Sequence, residues 1–84
     1  MKPLRLTGHA AISVTARRIE IEWVRRTVEA PERQRPDPGG DGAVQAFRRI
    51  PEFGDRWLRV VYAPRDGSYH VVTAFFDRRA GKWQ

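Results

Sequence analysis

The sequence predicts an α+β fold: an N-terminal helical hairpin packed on a three-stranded antiparallel β-meander, with a short extra edge strand at the N-terminus. Three observations predict it. Up to Glu29 the apolar residues recur at helical spacing, i, i+3, i+4 and i+7. After Gly42 the period changes to two, in three runs rich in Val, Tyr, Trp and Phe. The segments PEFGD and PRDGS separate these runs and read as five-residue hairpin loops.

The elements follow in chain order. Pro3–Leu6 suits an edge strand, because a proline at a strand start gives up no ladder donor. Thr7 is the expected N-cap of a first helix over 8–17, with His9, Ile12, Ser13 and Ala16 sharing one face. The β-branched Ile12, Val14 and Thr15 weaken that helix, so packing has to hold it. A second helix is expected over Glu20–Glu29, with Glu20 and Glu22 near its positive end. Ile21, Val24 and Val28 form its apolar stripe, Trp23 joins one edge, Arg25 and Arg26 face outward, and Pro31 stops it. Glu32–Gly42 has no apolar residue and reads as a mobile loop. The strands are Ala43–Ile50, Arg56–Ala63 and Tyr69–Phe76, and the polar tail Asp77–Gln84, with Trp83 its one apolar side chain of size, is expected to be loosely held.

Pairing the strands across the two loops predicts which side chains share a face. Ile50 opposite Arg56 sets Phe47 against Arg59 and Arg49 against Trp57. Ala63 opposite Tyr69 sets Arg59 against Thr73 and Val60 against Val72, with His70 opposite Tyr62. One face then collects Val44, Ala46, Leu58, Val60, Tyr62, Val72, Ala74 and Phe76, and is the core face that receives the helices. The other collects Phe47, Arg49, Trp57, Arg59, Thr73 and Phe75, aromatic and cationic together.

The 84 residues make one domain, 1–84, with a thin core for its size. There is no cysteine, so neither disulfides nor thiolate chemistry is expected. No apolar run approaches a membrane span and the N-terminus has no signal-like segment, so the expected location is cytoplasmic. Lys and Arg total 16 against 10 acidic residues, a net charge of +6, and all but Lys2 and Lys82 are arginine. A GC-rich genome would account for arginine over lysine. The net charge itself produces a field that attracts polyanions: nucleic acid, an anionic membrane surface or an acidic protein. Two histidines without cysteine or a carboxylate cluster make no metal site, and no cofactor is expected. PDPGGDG lacks the Lys and the strand–loop–helix setting of a phosphate-binding loop, no serine sits in a nucleophile elbow, and neither helix suits a membrane surface.

The pattern His9-Ala10, Arg17, Ile19, Val24, Pro31-Glu32, then LRVVY at Leu58–Tyr62 and VVTAFF at Val71–Phe76, resembles the bacterial domain-of-unknown-function family 4258. That family looks related to RelE/ParE-like toxins, whose fold is a helical hairpin on an antiparallel sheet. The family pattern has His-Ala, an Arg four residues after the His, and a second Arg four later; Arg17 fits the second, whereas Ser13 occupies the first. The resemblance implies a toxin-type, metal-independent ribonuclease acting on mRNA, either free or ribosome-bound, with RNA as substrate and a cognate antitoxin as partner.

Metal-free RNA cleavage needs an activated 2′-hydroxyl, a stabilised phosphorane and a protonated leaving group. His9 would supply acid–base chemistry near neutral pH, Arg17 and Arg59 permanent charge, and, through the resemblance, Thr73 a hydroxyl. Arg48, Arg49 and Arg78 are expected to contact phosphate, with Phe47 and Trp57 stacking unpaired bases. Each has a plainer alternative. His9 suits a cap or a packing role, Arg17 an ion pair with Glu20 or Glu22, Arg49 and Arg59 ordinary solvent-facing strand positions, and Trp57 a small secondary core. The competing functions are a non-catalytic nucleic-acid-binding domain, which Ser13 favours, and an Arg-rich surface that docks an acidic partner.

Overall fold

The computed structural model describes residues 2–39 and 42–80. In chain order the elements are β1 (Leu4–Leu6), α1 (Gly8–Ala16), α2 (Ile21–Glu29), β2 (Arg33–Pro36), β3 (Val44–Ile50), a 3-10 turn (Pro51–Phe53), β4 (Arg56–Arg65) and β5 (Ser68–Phe76). The strands make one five-stranded mixed sheet in the order β1-β5-β4-β3-β2. This corrects the expected three-stranded antiparallel meander at both edges. The N-terminal edge strand β1 is present, and it runs parallel to β5. The second correction is β2, which lies where a mobile loop was expected and pairs antiparallel with β3. Its four residues are all exposed. A strand so charged has no hydrophobic period to read; β3 holds it in place. Backbone bonds from Glu32 N to Phe47 O (2.8 Å) and Asp37 N to Ala43 O (2.9 Å) close its ends. Gln45 clamps it from β3, accepting from Arg35 Nε at 2.7 Å and donating to Asp37 Oδ1 at 2.8 Å. Arginines and a proline on an outer strand also discourage edge-to-edge pairing.

Both helices lie on one face of the sheet. Thr7 caps α1 as the sequence predicts, its Oγ1 accepting from Ala10 N at 3.1 Å. The helix buries Ala10, Ser13 and Val14; Ile12, expected to share a face with Ser13, is 71 % exposed. At its C-terminus Ile19 N bonds Val14 O (2.9 Å) and Arg18 N bonds Thr15 O (3.2 Å), a Schellman ending with Arg18 left-handed at φ 54°. That reversal starts α2, which buries Val24, Thr27 and Val28, while Ile21 stays 47 % exposed. The hydrophobic core joins Ala10, Val14, Ile19, Val24 and Val28 to Ala46, Ile50, Leu58, Val60, Tyr62, Val71 and Ala74.

The first hairpin keeps the expected register, with Ile50 opposite Arg56, Arg49 opposite Trp57 and Phe47 opposite Arg59. The second does not. Its turn is the two-residue Asp66-Gly67, both at positive φ (51° and 72°), so Arg65 pairs Ser68 and Ala63 pairs His70. A bulge then leaves Val72 unpaired, because Val61 faces Thr73 and Tyr62 faces Val71. Two single-residue shifts restore the original parity. Ala74 and Phe76 keep the core face, Arg59 faces Phe75 in place of Thr73, and Val71 enters the core while Val72 turns 41 % outward.

The start of the tail is anchored, contrary to expectation. Asp77 N bonds Trp57 O at 2.8 Å, Asp77 Oδ1 accepts from Arg79 N at 2.8 Å, and Ala80 is fully buried. Trp83 lies outside the described residues. No helix among the described residues is long and apolar enough to cross a membrane.

A non-glycine residue in the left-handed region is strained by about 1–2 kcal/mol, partly offset by the greater unfolded-state freedom of glycine. Arg18→Gly is therefore expected to stabilise the fold by about 0.5–1 kcal/mol in urea denaturation; a loss of stability would show that the Arg18 side chain holds the hairpin. Arg26 forks onto Glu52, Nη1 to Oε1 at 2.9 Å and Nη2 to Oε2 at 2.7 Å, tying α2 to the 3-10 turn. This hydrogen-bonded pairing lowers the Glu52 carboxyl to about 2. A depressed folded-state pKa contributes stability above the unfolded value and loses it as pH falls through the folded one. The Tm of wild type should therefore exceed that of Glu52→Gln at pH 7, with the gap closing between about pH 4.5 and 2; a gap that persists at pH 2 would count against the ion pair.

Candidate nucleic-acid interface

The sheet face away from the helices carries an aromatic floor covered by arginines. Phe47 on β3, Trp57 on β4 and Phe75 on β5 point to this side, because they alternate with the core residues Ala46, Leu58 and Ala74. Arg35 and Arg59 lie over the Phe47 ring at 5.6 and 5.1 Å, and Arg59 is also 5.1 Å from the Phe75 ring. Arg33 and Arg49 flank Trp57 at 5.7 and 5.5 Å. Phe47 is fully buried by this layer, so its ring is not offered to a base.

Most of the arginines near this face already hold internal partners. Arg59 pairs with the largely buried Asp77 through Nη2 and Oδ2. Arg49 pairs with Glu32, Nη2 to Oε1 at 3.0 Å, while its backbone N–H also donates to Glu32 Oε2 at 2.8 Å. These hydrogen bonds hold the Glu32 carboxyl below its ordinary range. Arg48 sits on the helix side of β3, donating from Nη1 to the Ala30 carbonyl at 2.7 Å. Three residues expected to bind RNA or drive chemistry thus hold the fold together in this structure.

A different set converges at the end of the sheet. Arg17, Phe53, Arg56, Trp57, Phe76, Asp77 and Arg78 line an open cleft of about 630 Å³. Each arginine arrives by its own local device. Arg17 is the C-cap of α1, held where the Schellman ending reverses the chain. Arg56 opens β4, its guanidinium resting on the Phe53 ring at 5.3 Å. Arg78 follows Asp77, in the turn that the Asp77 carboxylate closes through Arg79 N. Phe53 and Phe76 stack at 4.6 Å, with Trp23 packed behind them at 5.8 and 6.3 Å. All three arginines are exposed, and among the described residues none of them makes an ion pair. Arg17 in particular does not reach Glu20 or Glu22; Glu22 instead lies 3.6 Å from Arg26.

The sequence-predicted residues therefore divide. Arg17, Trp57 and Arg78 come together in the cleft. His9 is exposed on the first turn of α1, eight residues or roughly 12 Å along the helix axis from Arg17. Thr73 is half-buried on the outer sheet face opposite Val61, and neither it nor His9 lines the cleft. Sequence reasoning missed Arg56 and Phe53. Strand alternation assigns Arg56 to the helix side, but it stands at the sheet's end, beyond the helices. Its position beside Trp57, at the mouth of a hairpin loop that itself carries an aromatic, was the available signal.

Asp77 links the two surfaces, since it neutralises Arg59 under the outer layer and shapes the turn that presents Arg78. Asp77→Ala removes a charge-assisted bond and a turn-closing bond, and is expected to cost about 1–3 kcal/mol in chemical denaturation. Asp77→Asn, which keeps the acceptor for Arg79 N, should recover part of that loss; equal losses in the two would remove the turn-closing role.

The family pattern of DUF4258, a domain of unknown function, matches residues 6–76. No curated protein and no solved structure matches this chain. With the match running from the end of β1 to the end of β5, the chain belongs to the DUF4258 family.

Proposed function

We propose that this domain binds single-stranded RNA, with the cleft at the end of the sheet as its primary contact. The observation that carries the reading is the convergence of Arg17, Arg56 and Arg78, from three separate segments, on an aromatic-floored depression where none has an internal ion pair among the described residues. Permanently charged, planar guanidiniums match phosphate oxygens, and the apolar lining between them gives the rest of a nucleotide a surface to rest against. Phosphate contacts supply most of such an affinity without reading sequence. The net charge of +6 adds long-range attraction for the strand. RNA is favoured over DNA by the resemblance to RelE/ParE-like toxins.

Binding is better supported than cleavage. General acid–base catalysis needs a titrating group within hydrogen-bond reach of the reacting oxygens. Among the described residues, Asp77 is the one cleft-lining group other than arginine that could move a proton, and both its oxygens are already engaged, by Arg59 and by Arg79 N.

Fluorescence anisotropy with a labelled ten-nucleotide uridine RNA tests the reading. Three phosphate contacts predict a log–log salt slope of about −2, since each contributes about 0.7 on a single strand. Arg17→Ala, Arg56→Ala and Arg78→Ala should each weaken binding roughly three- to tenfold and reduce the slope by about 0.7. Arg65→Ala, at the opposite hairpin turn, should change neither the affinity nor the slope. Affinity insensitive to all three cleft substitutions would sink the proposal. Electrophoresis of the same strand reports any cleavage directly, and discrete products would add nuclease activity to binding.

A further inference from the structure

We infer that the cleft receives the terminal phosphomonoester of an RNA strand, so that the domain prefers phosphorylated ends to internal segments. This rests on the single-strand reading above and deepens it. Arg17, Arg56 and Arg78 bring three fixed positive charges to one depression. Asp77 is the carboxylate that lines it among the described residues, and Arg59 offsets its charge. The local excess is therefore three. An internal phosphodiester brings one negative charge, whereas a phosphomonoester brings about 1.5 to 2 at neutral pH together with three acceptor oxygens. Three converging forks match three such oxygens better than the two free oxygens of a diester.

The surroundings strengthen the distinction. Phe53, Trp57 and Phe76 give the floor apolar side chains, so a phosphate finds its polar contacts at the three guanidiniums. A volume of about 630 Å³ is in the range of a small-ligand pocket and large enough for one nucleotide. Arg56 is held by stacking on Phe53 at 5.3 Å, an arrangement that positions its fork while leaving its N–H donors for the ligand. The outer sheet face, by contrast, offers arginines already laid over rings and paired with Glu32 and Asp77, a surface suited to weaker contact with the rest of the strand.

The test uses one ten-nucleotide uridine RNA in three forms: both ends hydroxyl, 5′-phosphorylated and 3′-phosphorylated, with the label on an internal base. At least one phosphorylated form should bind about tenfold more tightly than the hydroxyl form at pH 7.5. The two phosphorylated strands identify which end the cleft takes. The advantage should shrink at pH 5, where the monoester loses its second charge, whose pKa is about 6. It should vanish in Arg56→Ala and Arg78→Ala, with circular dichroism showing both folded, and persist in Arg65→Ala. Equal affinity for all three strands overturns the inference while leaving single-strand binding intact. A phosphate advantage that survives both cleft substitutions overturns it as well, because the end would then be held elsewhere. If no form binds, the inference and the single-strand reading fall together.

Discussion

Two nine-residue helices cover one face of a five-stranded sheet, and the other face must be shielded by its own side chains. The rest of the molecule is arranged around that constraint. The helix side is a conventional aliphatic core running from Ala10 and Val14 to Val71 and Ala74. The outer side solves the same problem with arginine. Guanidinium planes lie over Phe47, Trp57 and Phe75, and Phe47 is excluded from water without a helix above it. Arginine suits this task better than lysine, because its planar, weakly hydrated head stacks on a ring while its edge still donates hydrogen bonds. The strong preference for arginine thus has a structural use in this fold, whatever base composition contributed.

Shielding the outer face fixes the cations that do it. Arg49 cannot leave Trp57 without also breaking its bonds to Glu32, and Arg59 is held between two rings and Asp77. Removing Arg59 would strand the largely buried Asp77 carboxylate, so that pair in particular resists exchange. What is left for a ligand is decided by this division of labour. The cleft arginines sit at the end of the sheet, where Phe53 and Phe76 stack on one another and no carboxylate among the described residues forms an ion pair with them.

Local backbone devices set the site's geometry. The Schellman ending after α1 turns Arg17 outward and sends Ile19 into the core. The left-handed Gly54 and Asp55 close the first hairpin and place Arg56 at the start of β4. The Asp77 turn, pinned by Trp57 O and by the buried Ala80, presents Arg78. Three separate segments therefore hold the three arginines, and the cleft does not depend on any one loop.

Sequence alone determined whatever depends on near neighbours in the chain. The Thr7 cap, both helices to within a residue or so, the three long strands and the register of the first hairpin were legible, because spacing, capping and a proline–glycine loop act over a few residues. Arg17, Trp57 and Arg78 could be named as candidates because charge and aromaticity are visible in a string. Tertiary structure decided the rest. Strand β2 is invisible to periodicity, since its order comes from Gln45, Phe47 and Trp57 on other strands. The bulge at Val72 coincides with the docking of Thr7, whose backbone N–H reaches Val71 O at 3.1 Å across more than sixty residues of chain. Which arginines are occupied by Glu32 or Asp77, and which remain for a ligand, is likewise a matter of long-range neighbours. A side chain's charge is written in its own identity, but its availability depends on groups that only folding brings within reach.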